Sequence, residues 1–216
     1  MTNMQLTAGD SPLRPRTRRS RQSIAPGRRE QILAAGLPLF LSRGVAHTTI
    51  DDLATASDSS IGSIYHWFGS KAGVAASLYV SALEQIHRVA LAALTSDNDV
   101  RKALRTAISA YLTWVLRNPD LASYALHCRE PEVAVASADA VSRLNDEFEK
   151  SLHRWLSDGV RSGALKDFPD SGVFLAILMG PAQEYARAWL ATTRRARQLR
   201  RAAVLLGDAA VVSLCV

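Results

Sequence analysis

Hydrophobic residues recur at every third or fourth position through most of the chain, which is the periodicity of amphipathic α-helices. The first such segment begins at Arg28 and ends at Arg43, a cation in the last turn that is followed by Gly44. Pro38 falls inside this segment and should either kink the helix or displace its start. The pattern therefore predicts a helix near residues 28–43.

Two short helices are predicted next. Thr48 and Thr49 each have an aspartate three positions later, which is a capping-box signal for the start of a helix. Asp58 and Ser59 form a turn, and residues 60–68 form the third helix. Three short helices in about forty residues, with a short turn between the second and third, indicate a helix-turn-helix unit.

The rest of the chain also reads as helix, and no alternating strand pattern competes. Gly69 breaks the third helix, and Ser70 is the expected N-cap of a long helix after it. The further helices are predicted at residues 70–94, 98–117, 119–128, 133–161, 170–193 and 197–214. Gly180 and Pro181 should kink the fifth of these. The predicted fold class is all-α.

The segment from Gly44 to Lys71 resembles the DNA-binding domain of the TetR (tetracycline repressor) family of bacterial one-component regulators. The resemblance covers about residues 28–80, a quarter of the chain. Its motifs are Thr48-Thr49-Ile50-x-x-Leu53-Ala54 and Ser60-Ile61-Gly62-Ser63-Ile64-Tyr65-His66-Trp67-Phe68-Gly69-Ser70-Lys71. It implies a DNA-binding domain at residues 28–71. It also implies a domain at 72–216 that binds a small effector and dimerises through its last two helices. Such a protein would be a repressor that binds a pseudo-palindromic operator as a homodimer and is released by the effector.

A helix that enters the major groove must present short or hydrogen-bonding side chains in its first turns. The third helix offers such a surface at Ser60, Gly62, Ser63, Tyr65 and His66. A glycine within a helix costs about 1 kcal/mol relative to alanine, which a close approach to DNA would offset. Ile64 and Phe68, four positions apart, should face inward. We weigh one alternative, that His66 is simply exposed and has no role.

Contacts to phosphate are expected at helix N-termini, where free N–H groups favour an anion. Thr48 or Thr49 and Lys71 stand at two such ends, and plain helix capping is the alternative for the threonines. The resemblance assigns phosphate contacts to Tyr65 and Trp67.

The motif departs from the family pattern at three positions. Asp58 replaces a preferred glycine but can still adopt a left-handed conformation, and Ser59 replaces an apolar residue. Ile61 occupies a position that is frequently basic, so the third helix carries no lysine or arginine. Most of the electrostatic attraction must then come from Lys71, from an N-terminal arm and from the arginines at positions 28, 29 and 43.

Candidate effector contacts are polar or aromatic residues on the central helices, where a cavity would be mostly apolar. They are Tyr111, Trp114, Tyr124, His127, Cys128, Trp155, Met179 and Gln183, and ordinary core packing is the alternative for each. His127 and Cys128 are adjacent, which raises the idea of a metal or redox sensor. No third ligand lies at helical spacing, so we expect no metal site and no cofactor.

The 216 residues are 48% hydrophobic and 21% charged, which excludes a disordered tail, a collagen-like fibre and a disulfide-knotted mini-protein. Cys128 and Cys215 form no metal or disulfide pattern, as expected in a reducing compartment. The longest uncharged stretch, residues 171–183, is shorter than the ~20 residues of a membrane span. No N-terminal leader pattern is present, and we expect a cytoplasmic protein.

The net charge of +6 lies at the two ends of the chain. Residues 1–27 carry +4 and the last thirty residues +5, whereas residues 28–71 sum to zero and residues 72–186 to −3. Residues 1–27 have almost no apolar periodicity and predict a disordered arm. The arm either follows the DNA backbone or is a start-site or solubility extension. The arginine cluster at 194–201 is either a solvated face or a docking surface for an acidic partner.

No sequence signal supports an enzyme, because phosphate loops, nucleophile elbows and catalytic carboxylate or His/Cys groupings are absent. A second hypothesis is that the chain is a helical scaffold whose helix-turn-helix unit contacts other proteins.

Overall fold

The computed structural model describes residues 27–128, 130–192 and 194–216. These residues form nine α-helices, which confirms the all-α fold. In chain order they are α1 Arg28–Arg43, α2 Ile50–Ala56, α3 Ile61–Phe68, α4 Lys71–Leu94, α5 Val100–Arg117, α6 Pro119–His127, α7 Pro131–Arg161, α8 Ser171–Leu190 and α9 Ala196–Leu214. The arm predicted at residues 1–27 lies outside the described residues except for Gly27.

Side-chain caps fix several helix starts. Ser60 accepts a hydrogen bond from the Ser63 amide and Ser70 one from the Gly73 amide, as the sequence indicates. Asp99 accepts from the first amides of α5, so α5 begins at Val100 and not at residue 98. Hydrogen-bonded capping therefore corrects the predicted start by two residues.

The two internal prolines do not interrupt their helices. α1 begins at Arg28 and runs through Pro38, so a displaced start was a wrong alternative. α8 runs through Pro181 and ends at Leu190, earlier than predicted. Its end is closed by Arg194, whose backbone has a positive φ of 53° and whose Nε donates to the Leu190 carbonyl at 3.2 Å.

One hydrophobic core joins α1, α2, α3 and the first half of α4. Ile64 is fully buried there, and Phe68 packs beside it, which confirms that this face of α3 points inward. The residues packed with them include Ile32, Phe40, Ile50 and Leu53. Burying this face leaves the opposite side of α3 exposed to solvent.

A second, larger core joins the rest of α4 with α5, α7, α8 and α9. α4 contributes Val74 and Leu78 to the first core, and residues between Ala82 and Leu94 to the second. One continuous helix therefore belongs to both cores. α6 also touches both cores, with Tyr124 in the first and Ala122 in the second. Within the described residues no helix is long and apolar enough to cross a membrane.

Candidate nucleic-acid interface and effector cavity

The solvent face of α3 brings together most of the residues that the sequence nominates for DNA contact. Ser60, Gly62 and His66 are exposed, and Tyr65 and Trp67 are 52% and 48% exposed although both are large. Ser63 is half-buried, and its hydroxyl lies 2.9 Å from that of Ser60. Tyrosine and tryptophan are enriched at interfaces, so two of them exposed on one short helix favour a contact outside the chain.

Hydrogen bonds hold the turn that orients α3. Asp58 has the predicted left-handed backbone, with a φ of 48°. Arg28 reaches across from α1, and its Nη1 donates to the Asp58 carbonyl at 2.7 Å. The hydroxyl of Ser59 donates to the Ser57 carbonyl at 3.1 Å. Polar contacts thus replace the apolar contact that the sequence lacks at Ser59.

Lys71 begins α4 beside the loop that leads into α2. Its Nζ donates to the Ala46 carbonyl at 3.2 Å and stays half-exposed. Because a lysine has three donors, two of them remain for an anion. Ser70 caps the same helix, which is 24 residues long and directs its dipole at this point. The ammonium group and a helix N-terminus therefore coincide at one edge of the α3 face.

The two threonines before α2 have different surroundings. Thr48 is 1% exposed and donates to the Gly44 carbonyl at 2.8 Å, so its side chain does not belong to the exposed face. Thr49 is exposed and forms the predicted capping box with Asp52. Hydrogen bonds from Thr49, with a smaller contribution from Arg43, lower the pKa of Asp52. Of the pair, only Thr49 can meet another molecule.

Gly62 has no role in packing within the chain. A Cβ built on it would meet only the Ser60 hydroxyl, at 3.8 Å. Gly73 is the contrasting case, because a Cβ there would lie 1.9 Å from the Phe68 carbonyl. The fold therefore requires glycine at position 73 but leaves open space at position 62.

The arginines expected to supply electrostatic attraction also have partners inside the chain. Arg29 lies over the ring of Phe68, with its guanidinium carbon 5.5 Å from the ring centroid. Arg43 pairs with Asp52 at 3.3 Å. Together with Arg28 at the turn, they leave Lys71 as the basic group at the edge of the α3 face.

Ile61 belongs to the exposed face. From the sequence it was noted only because the family often has a basic residue at this position. It is 42% exposed in the first turn of α3, directly before Gly62. An exposed isoleucine in a helix start was itself a usable signal, since apolar side chains contact the methyl group of thymine.

A cavity lies among the helices of the second core and has two lobes that share Leu83, Ile86 and Gln183. The larger lobe, 490 Å³, lies between α4, α7 and α8, and the smaller, 200 Å³, reaches α5 and α6. Three of the predicted effector residues line it, namely Tyr111, Met179 and Gln183.

Four of the other candidates lie elsewhere. Trp114 donates from Nε1 to Gln85 at 3.0 Å and lines a separate groove along α5. The Tyr124 hydroxyl donates to the Ala75 carbonyl in the first core. His127 is exposed, and Trp155 packs against Phe174 in the second core. A helix pattern marks these residues as buried or polar but does not say which of them face a gap.

Cys128 is half-buried, and its Sγ lies 3.4 Å from a Glu130 carboxylate oxygen. Burial raises the pKa of this thiol, with the Glu130 carboxylate acting in the same direction. In the part of the chain that the structure describes, no three His, Cys, Asp or Glu residues are grouped to hold a metal ion.

Two residues that line the cavity were not among the candidates drawn from the sequence. The imidazole of His87 stacks on Phe148 with ring centroids 4.2 Å apart, and its Nδ1 is buried without a hydrogen-bond partner. Burial lowers the pKa of His87, although a hydrogen bond with the Leu144 backbone opposes the shift. Arg187 lines the smaller lobe one helical turn after Gln183. That four-residue spacing was the signal available for Arg187.

Comparison with known families finds one match in the N-terminal part. Residues 32–78 match the family model described as bacterial regulatory proteins, tetR family. This range contains α2 and α3, most of α1 and the start of α4.

Relatives and solved structures agree with this match. The HTH-type transcriptional repressor KstR2 of Rhodococcus jostii (strain RHA1) is 27% identical over 142 residues, which are 65% of this chain and 69% of the relative. The fold resembles the fatty acid degradation regulator FadR of Bacillus halodurans, with a TM-score of 0.71, 16% identity and coverage of 86% and 95% of the two chains. It also resembles FadR of Bacillus subtilis in complex with stearoyl-CoA, with a TM-score of 0.69, 17% identity and coverage of 84% and 97%.

Proposed function

We propose that the chain is a cytoplasmic repressor of the TetR family of bacterial regulatory proteins, whose N-terminal family model it matches and to one of whose repressors it is similar. It binds a pseudo-palindromic operator as a homodimer and is released by a small molecule. Family members are DNA-binding regulators, so the protein is not an enzyme. The observation that carries the proposal is the exposed face of α3. It presents two exposed aromatic side chains and a glycine that packing within the chain does not require.

In the proposed complex, α3 lies in the major groove. Gly62 allows the helix backbone to approach, while Ser60 and Ser63 offer hydroxyl groups to base edges and Ile61 offers an apolar surface to thymine methyl groups. His66 adds a further hydrogen-bonding group on the same face. Specificity then rests on neutral contacts, since α3 carries no lysine or arginine.

Phosphate contacts would position the helix in the groove. Lys71 and the N-terminus of α4 are the strongest support, because a cation and free amide groups meet there. By resemblance to the family, Tyr65, Trp67 and Thr49 contribute further contacts. The arm at residues 1–27 carries +4 and would add attraction that depends on salt.

The homodimer would form through α8 and α9. α9 exposes Leu205 (61%) and Val212 (76%), which lie seven positions apart on one side of the helix, and α8 exposes Val173. Exposed apolar residues aligned along the last two helices are what a helix-packed dimer interface provides. We assign residues 28–71 to DNA binding and 72–216 to effector binding and dimerisation.

Release from DNA requires a link between the cavity and α3. α6 supplies a candidate link, because Ala125 and Leu126 line the smaller lobe while Tyr124 contacts the first core. A ligand that shifts α6 would act on α1 and α4 and so change the distance between the two recognition helices of the dimer.

An electrophoretic mobility shift with DNA from upstream of the protein's own gene tests the proposal. At ~0.15 M salt, where non-specific binding is weak, we expect a defined complex that random DNA of equal length does not compete away. Loss of any sequence preference would overturn the proposal and favour a scaffold whose helix-turn-helix unit binds proteins.

Sedimentation of two variants tests the dimer. Leu205→Glu, which places a charge on the proposed interface, should yield monomers that bind DNA poorly. Val135→Glu is the matched control, because Val135 is 79% exposed on α7 and should leave the dimer intact. Equal behaviour of the two variants would place the interface elsewhere.

A further inference from the structure

The smaller cavity lobe contains a buried hydroxyl group without a partner. Tyr111 is 1% exposed, and its hydroxyl is buried with no hydrogen bond. Leaving a buried hydroxyl unsatisfied is costly, so such groups usually have a partner when the protein is in its working state. Since Tyr111 lines the smaller lobe, a molecule bound there can supply the missing bond.

The charged side chain that lines the cavity is a cation. Among the residues that line the two lobes, Arg187 carries the only formal charge, and none is an aspartate or glutamate. The Nη1 of Arg187 donates to Glu184, and the guanidinium group has further donors. Gln183 lies one turn earlier and offers an amide to the same lobe. The smaller lobe therefore suits an anionic oxygen.

The larger lobe is apolar for most of its lining. Leu83, Ile86, Phe148, Leu175 and Met179 surround it. Its 490 Å³ is within the range of small-molecule sites. His87 adds a single unpaired nitrogen, and its lowered pKa keeps the ring neutral there. The two lobes together present an apolar chamber with a cationic, hydrogen-bonding end.

We propose that the effector is an apolar carboxylic acid, with its carboxylate bound by Tyr111 and Arg187 and its hydrocarbon body between α4, α7 and α8. The carboxylate would accept hydrogen bonds from the tyrosine hydroxyl and the guanidinium group, which are stronger than bonds between neutral groups. This inference rests on the proposed function, because it names the ligand of the proposed effector domain.

Thermal shift and calorimetric titration of the full chain with decanoate test the ligand class. Decan-1-ol, decylamine and methyl decanoate carry the same chain with a neutral, cationic or esterified head. Decanoate should raise the melting temperature and bind about tenfold tighter than the other three, the difference that a bond between charged groups produces. Equal binding of the ester or the amine, or no binding of decanoate, would overturn the proposal.

Two variants locate the carboxylate. Tyr111→Phe and Arg187→Gln should each weaken decanoate binding about tenfold and bring it close to that of the ester, while Arg187→Lys should keep the preference for the acid. Tyr124→Phe is the control, because it removes an identical hydroxyl that is already bonded to Ala75. Unchanged affinity in the first two variants would contradict the assigned site.

The mobility shift without added acid separates this inference from the proposed function. If the protein binds its operator but no carboxylate, only the ligand class is wrong. If it binds decanoate at this site but shows no sequence preference for DNA, the repressor function is wrong and the cavity assignment stands.

Discussion

The ring of Tyr124 on α6 stacks on that of Phe40 on α1 with centroids 6.2 Å apart, and its hydroxyl donates to the Ala75 carbonyl on α4 at 3.0 Å. One side chain thus joins a helix that lines the cavity to two helices of the first core. Tyr124 and Phe40 are each 4% exposed, so α6 is closely packed against the first core at this contact.

Replacing Tyr124 should separate ligand binding from DNA release. Tyr124→Leu removes both the stacking and the hydrogen bond, so we expect the ligand to bind but to reduce operator affinity far less than in the wild type. The measurement is operator affinity at zero and saturating decanoate. Tyr124→Phe keeps the stacking and should retain most of the response, at a loss of about 1 kcal/mol of stability.

Tyr111→Phe should stabilise the ligand-free protein. The substitution removes a hydroxyl that is buried without a partner, and relief of such a group is worth about 1–3 kcal/mol. Urea denaturation measures the change in the free energy of unfolding. This change should be positive for Tyr111→Phe and negative for Tyr124→Phe if the first hydroxyl is unpaired and the second is hydrogen-bonded. A loss of stability on Tyr111→Phe would mean that the hydroxyl is satisfied in solution.

The helices and the α3 motif could be predicted from sequence because their determinants are local. Ser60, Thr49 and Ser70 cap the helices that follow them, and Ile64 and Phe68 face inward through their spacing. The role of Arg28 could not be predicted, because its partner Asp58 lies thirty positions away.

The cavity is the part that sequence reasoning predicted least. Periodicity says that Tyr111, Trp114 and Trp155 face the core but not where facing helices fail to fill space. The lining comes from five helices, and a gap depends on how all of them pack. In the sequence, His87 has the helical spacing of an ordinary core histidine. Only the structure, in which its Nδ1 has no hydrogen-bond partner, distinguishes it from one.

Gly62→Ala should weaken operator binding while stabilising the fold. A Cβ at this position meets only the Ser60 hydroxyl within the chain, and alanine is favoured over glycine in a helix by about 0.5–1 kcal/mol. If α3 approaches base edges here, the added methyl group pushes the helix away from the DNA. Melting temperature and operator affinity should therefore change in opposite directions, and unchanged affinity would show that Gly62 faces no DNA.

Lys71→Ala should weaken binding to the operator and binding to random DNA about equally. A phosphate contact carries no sequence information, so the variant should lower the salt slope of binding by about one without changing the ratio of the two affinities. Lys150→Ala is the charge-matched control, since it removes an exposed lysine from α7. Tyr65→Ala and His66→Ala should instead reduce the operator preference. A change in specificity alone on Lys71→Ala would reverse this assignment of roles.

The stability of the protein should fall as the pH drops below about 6.5, and His87 should account for part of that fall. Burial lowers the pKa of His87 from its ordinary value of 6.5, so the folded chain holds the ring neutral while the unfolded chain takes up a proton. The unfolded state then binds more protons than the native state, and the free energy of unfolding decreases with falling pH until the lowered pKa is reached. His87→Phe keeps an aromatic ring against Phe148 and removes the titration. Urea denaturation between neutral pH and mild acid should therefore show a shallower slope in the variant, whereas identical slopes would mean that His87 ionises as freely in the folded protein as in the unfolded chain.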